Sequence, residues 1–205
     1  TLQYGQNVLK ATNAWTMLIT DEALLAGLND DTKAMLRANA EKKGQEGWLL
    51  NLKPTTTIPV MQDLDNRDIR RELYMASATK CVGGEFDNTG IIVEIVNTRL
   101  ALANLFEKKT YAEKSLYKTM AETPENVYRL LDQLRDAYMP TARQEVQELE
   151  DFAHQHGFYA AHLQPWDFSY YSKKLKQEKY AISDDDLRPY FELENVKKGV
   201  FGLAQ

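Results

Sequence analysis

Between Thr123 and Gly157 the chain carries its strongest constraint on fold. Thr123-Pro124-Glu125 supplies a hydroxyl cap, a proline at the first helical position where its missing N–H costs nothing, and an acid at the positive end of the helix dipole. Val127, Leu130, Leu131, Leu134, Val146, Leu149 and Ala153 then recur at helical spacing up to Gly157. Pro140 sits inside this pattern and predicts a kink or an interruption. A run of that length and period cannot be turned into sheet.

Helix punctuation dominates the rest. Asp21 precedes Glu22–Leu25, and Asn29 opens a helix that is expected to reach Lys43 and stop at Gly44. Asn66 predicts a helix through Thr79, ending before Gly83-Gly84. Asn88-Thr89 start another, with Ile91, Ile92, Ile95, Val96, Leu102, Ala103 and Phe106 on a broad buried stripe. Further helices are expected over Thr110–Met120 and from Trp166 to about Lys179. A short one follows, opened by Ser183 with Asp184-Asp185-Asp186. Trp48-Leu49-Leu50-Asn51-Leu52, bounded by Gly47 and Pro54, reads as a strand, and Thr55-Thr56-Thr57 favour β structure too. This small β element, near residues 47–57, is the only sheet contribution expected, with a short helix from Ile58 to about Leu64 after it. The fold class is mainly α: one helical unit over 1–205, with no repeat or low-complexity linker. Val196, Val200, Leu203 and Ala204 begin an amphipathic pattern still running at Gln205, which reads as a chain cut there. The start at Thr1, without an initiator Met, reads as something other than a gene start.

Charge excludes some partners. Of 205 residues, 25 are Lys or Arg and 30 are Asp or Glu, so the net charge of −5 offers no field for a nucleic acid. Apolar runs are too short to span a membrane. Cys81, the single cysteine, excludes an intrachain disulfide. It permits a cytoplasmic setting, with the periplasm left open, and no signal peptide is evident.

The chemistry-bearing residues do not form a catalytic set. His154 and His156 stand two apart, which on a helix points them to nearly opposite sides, whereas zinc takes imidazoles from one face; a fraying end before Gly157 explains them better. His162 is the third histidine, and no His-Glu-x-x-His occurs. Cys81 has no basic neighbour except Lys80, and reads as an idle thiol. Gly83-Gly84 and Gly199-x-x-Gly202 match no phosphate-cradling pattern. Asp184-Asp185-Asp186 reads as a helix cap before a cation site, and Lys173, Lys174, Lys176 and Lys179 read as a solvated face. Trp166, Phe168, Tyr170 and Tyr171 are core by default, with a peptide-binding wall as the sharper alternative.

Several separated blocks in register resemble the thimet-oligopeptidase-like zinc metallopeptidases. They are Gly47-Trp48-Leu49-Leu50-x-Leu52; Asn66-Arg67-x-x-Arg70-Arg71-Glu72-Leu73-Tyr74; Tyr111-Ala112-x-x-Ser115-Leu116; Leu163-Gln164-Pro165-Trp166-Asp167-Phe168-Ser169-Tyr170-Tyr171; and Arg188-Pro189-Tyr190-Phe191. Glu192-Leu193-Glu194-Asn195-Val196 with Gly199-Val200-Phe201 is more similar to the bacterial peptidyl-dipeptidase branch than to the oligopeptidase A branch. The resemblance implies hydrolysis of short peptides in the channel of a helical ellipsoid, with one zinc activating water and dipeptides released from substrate C-termini. It also implies that the zinc motif lies beyond the Arg-Pro-Tyr-Phe block. The expectation is therefore the middle part of a larger peptidase: zinc in the parent and none in this chain, and no catalytic, cofactor-binding or metal residue here. Its expected partners are the remainder of the same polypeptide and, for the isolated piece, itself. The rival is a stand-alone noncatalytic module that binds peptides or proteins.

Overall fold

The computed structural model describes residues 1–181 and 184–204. In chain order these are α1 (Leu2–Ala14), β1 (Thr16–Ile19), a 3₁₀ turn (Glu22–Leu25), α2 (Asp30–Glu41), β2 (Trp48–Asn51), α3 (Pro54–Asp63) and α4 (Arg67–Ala78). There follow α5 (Thr89–Leu105), α6 (Tyr111–Leu116), α7 (Pro124–Gln155), α8 (Pro165–Tyr180), α9 (Asp184–Leu187), a second 3₁₀ turn (Arg188–Phe191) and α10 (Leu193–Leu203). The chain is mainly α, as its punctuation implies. Asn29, Asn66 and Thr123 each accept a backbone N–H from three residues on, the geometry expected of a cap.

Other elements depart from expectation. The sheet has two strands, because β1 pairs antiparallel with β2, Thr16 opposite Asn51 and Ile19 opposite Trp48. The β element is also shorter than 47–57. Pro54 fixes φ at the first position of α3. The Lys53 carbonyl then accepts from Thr56 N and Thr57 N, both at 2.9 Å, so Thr55-Thr56-Thr57 are helical and α3 begins four residues before Ile58. α2 stops at Glu41, short of Lys43, although Gly44 does take a left-handed φ of +67°. α6 ends at Leu116, since Lys118 turns left-handed and leaves Met120 in solvent. Pro140 does not interrupt α7, whose 32 residues run through it; long flanks of good helix formers outweigh one missing hydrogen bond. Asn88 spends its side chain on Asn7 and the Tyr4 carbonyl instead of capping α5. The cap expected at Ser183 lies outside the described residues.

Two apolar clusters organise the interior. The first joins Ile19, Leu25, Leu36, Leu50, Val60 and Leu73, which ties the sheet to α2, α3 and α4. The second joins Leu149, Phe152 and Ala153 of α7 to Phe158, Leu163, Tyr170 and Tyr171. α8 packs on α3, α4 and α7, and so touches both. One turn between the 3₁₀ turn and α2 admits only glycine: Gly27 has φ +91°, and a Cβ there would lie 2.1 Å from the Asp63 carbonyl.

The stripe expected to be buried on α5 is not. Ala103 is the buried residue of that helix, while Ile92, Val96, Leu102 and Phe106 are exposed. Within this chain α5 meets α6 and, more lightly, α1.

Candidate functional site

The chain concentrates polar atoms where α4 crosses the start of α8. Pro165 opens α8 at its first position, and Asp167 follows two residues later. Its carboxylate turns back to accept from Gln164 N at 3.0 Å. Asn66 caps α4, which places Arg67 and Arg70 one turn apart on the face toward α8. Arg67 donates Nε to Asp167 Oδ1 (2.9 Å) and Nη2 to Oδ2 (2.8 Å), a two-pronged clamp. Arg70 Nη2 adds a third charged donor, 3.2 Å from Oδ1.

Arg70 is almost wholly buried, and its other two nitrogens are paired as well. Nη1 bonds the Leu64 and Asp65 carbonyls at 2.7 and 3.1 Å, just past the end of α3, and Nε bonds the Trp166 carbonyl at 3.1 Å. Each bond matters because an unpaired buried guanidinium or carboxylate costs far more than a paired one gains. The hydrogen bonds that Arg67 donates to Asp167 raise its already high pKa further. Around this bracket, Arg70 lies 4.0 Å over the Tyr170 ring, Arg67 covers both Phe158 and Trp166, and Arg71 also lies over Trp166.

A second polar chain runs beside it. Tyr170 Oη donates to Asp65 Oδ1 at 2.6 Å, and Lys174 Nζ donates to Tyr170 Oη. Burial raises the Tyr170 pKa, reinforced by Asp65 and opposed by Lys174. Burial lowers that of Lys174, but Tyr170 and Asp65 outweigh it and the net direction is up.

The bracket is built to hold, not to react. Asp167 has both oxygens filled by donors, so it offers no lone pair to a substrate proton or to water.

The singled-out residues scatter. His154 Nε2 bonds the Ala160 carbonyl, His156 Nδ1 bonds the Phe152 carbonyl, and His162 lies 3.3 Å from Glu150. Cys81 is half-buried in the turn after α4, with φ +64°. Lys173 pairs with Asp63 at 2.6 Å, Lys174 with Asp65, and Lys179 with Glu148, so this basic run ties α8 to its neighbours instead of standing free in water. The aromatic cluster divides. Tyr170 and Tyr171 are core, Trp166 lies under arginines, and Phe168 reaches an open groove of about 400 Å³ between α7 and α8.

Among the described residues no three His, Cys, Asp or Glu side chains gather as a metal site. The described residues do not fit a zinc centre, and no step through a metal can be derived from them. Arg67, Arg70 and Asp167 have no assigned pairing at the level of sequence, although all lie in the quoted blocks. The available signal was two arginines on the Leu73 side of α4, where solvent-facing charge is out of place, and an acid at the third position of a helix opened by proline.

What fold and site define is a helical scaffold held by an arginine–carboxylate bracket. This chain belongs to Peptidase family M3, whose profile matches residues 60–205. Over 208 residues it is 43% identical to Oligopeptidase A of Salmonella typhimurium and 42% identical to that of Escherichia coli, covering 99% of this chain and 30% of each relative. It is 30% identical to Dipeptidyl carboxypeptidase of Escherichia coli, over all of this chain and 30% of that protein. The chain thus spans about a third of the length of these curated relatives.

Proposed function

We propose that the whole protein is a cytoplasmic zinc peptidase that hydrolyses short peptides, and that residues 1–205 are an internal part of its scaffold. The observation that carries this is the family match over residues 60–205, which includes both sides of the Arg67–Asp167–Arg70 bracket. Family membership supports zinc as the agent that activates water. In this reading the ion is held by a segment outside these residues. The isolated chain then neither cleaves peptides nor holds zinc. Its role is to keep α8 fixed against α4, and with it the groove that Phe168 lines.

Two modes of cleavage have support. The higher identity to relatives named Oligopeptidase A favours an oligopeptidase mode. The likeness of Glu192–Phe201 to the peptidyl-dipeptidase branch favours release of C-terminal dipeptides. The test is to read the open reading frame past Gln205 for His-Glu-x-x-His, then to digest short peptides with free and amidated C-termini and weigh the products. Dipeptides released only from free C-termini select the second mode, and products from both peptides select the first. A stop codon after Gln205, or one-to-one zinc or authentic cleavage by residues 1–205 alone, would overturn the proposal.

A further inference from the structure

The chain exposes 14649 Å² of surface. A compact monomer of 23.5 kDa exposes about 9,800 Å², so roughly 4,900 Å² is in excess. Part of the excess lies on two helices. α5 is apolar nearly all round, Ile91-Ile92-Val93 and Ile95-Val96 within two turns, and such a helix belongs in an interior. Here Ile92, Val93, Val96 and Leu100 are all exposed. On α7 the seam that α8 covers at Leu149 and Ala153 continues toward the N-terminus through Val146, Tyr138, Leu134 and Leu131 at steps of three, four and eight. Among the described residues nothing buries that continuation, and every residue from 128 to 148 is exposed.

We propose that the faces of α5 and of the first two-thirds of α7 are interior interfaces, occupied by apolar segments of the same polypeptide that lie outside residues 1–205. This rests on the proposal that the chain is part of a longer peptidase. Area selects this occupant over a second copy. A standard two-protein interface removes about 800 Å² from each partner, a small part of the excess. A chain that spans 30% of its relatives leaves more than twice its own length to supply the cover.

The test replaces the matched segment of Escherichia coli Oligopeptidase A with residues 1–205 and compares that chimera with the isolated chain. Amide exchange in α5 and α7 is expected to be about tenfold or more slower in the chimera. Val96→Glu and Leu131→Glu should leave the helix content and melting temperature of the isolated chain unchanged, because both positions are already in water, and lower the melting temperature of the chimera by several degrees. Equal exchange rates, or a chimera indifferent to both glutamates, would overturn the proposal. So would a chimera that fails to fold with the unaltered chain, or an isolated chain whose dimer protects α5 and α7 as well as the chimera does. Peptide cleavage is scored separately: a chimera that is folded and protected but inactive counts against the peptidase reading and leaves this one standing.

Discussion

Asp167 is the residue on which most depends. It is fully buried, and three of its four donors are guanidinium N–H groups. Asp167→Asn keeps the shape but leaves Arg70 as a buried cation without its counter-charge. Urea melts are expected to show a loss of about 3–5 kcal/mol. Arg67→Ala should cost less, since that side chain is 40% exposed and water takes over part of its role. A second prediction concerns alkali. The folded chain holds the Tyr170 proton to higher pH than the unfolded chain does, mainly because the phenol is buried, and the Lys174 pKa moves the same way. The folded state therefore binds more protons. The contribution is complete below about pH 10 and is lost as pH rises through the folded values. Stability against pH should fall above about 10, and Tyr170→Phe should make that fall shallower without abolishing it, because burial raises Tyr171 as well.

At the scale of elements, Pro140 offers a clean measurement. It sits in a stretch of α7 whose residues are all exposed. Pro140→Ala restores an N–H and removes a ring clash worth up to about 3 kcal/mol in a helix interior. Amide exchange across residues 130–148 of the isolated chain is expected to slow in that variant. The helix that Pro140 fails to break also shows what was legible in the sequence. Start signals are local chemistry, a hydroxyl or amide three residues from the N–H it accepts, and Asn29, Asn66 and Thr123 could be read directly. Partners distant in the chain could not. β1 is a four-residue run whose meaning comes from Trp48–Asn51, some thirty positions later. Asn88 looks like a cap until Asn7 is beside it. The burial expected along α5 failed for another reason: the pattern states that a face wants cover, not which chain supplies it. At the site, the quoted blocks held the right residues, but a carboxylate that joins two arginines about a hundred positions away leaves no local trace.

For the molecule as a whole, that separation is itself a physical quantity. Bringing Arg67 to Asp167 closes a loop of 100 residues, at an entropic cost of roughly 4 kcal/mol. The cluster from Ile19 to Leu73 needs only short closures, and it ties β1, β2, α2, α3 and α4 together without α8. Order of assembly follows. In a refolding experiment followed by tryptophan emission in single-Trp variants, Trp48 should reach its native signal first, with Trp166 reporting the later arrival of α8. During that delay Arg70 waits, hydrated and unmatched, on the rim of a nucleus already formed. The docking of α8 is thus the step that takes this cation out of water, and the carboxylate that neutralises it arrives on the same helix.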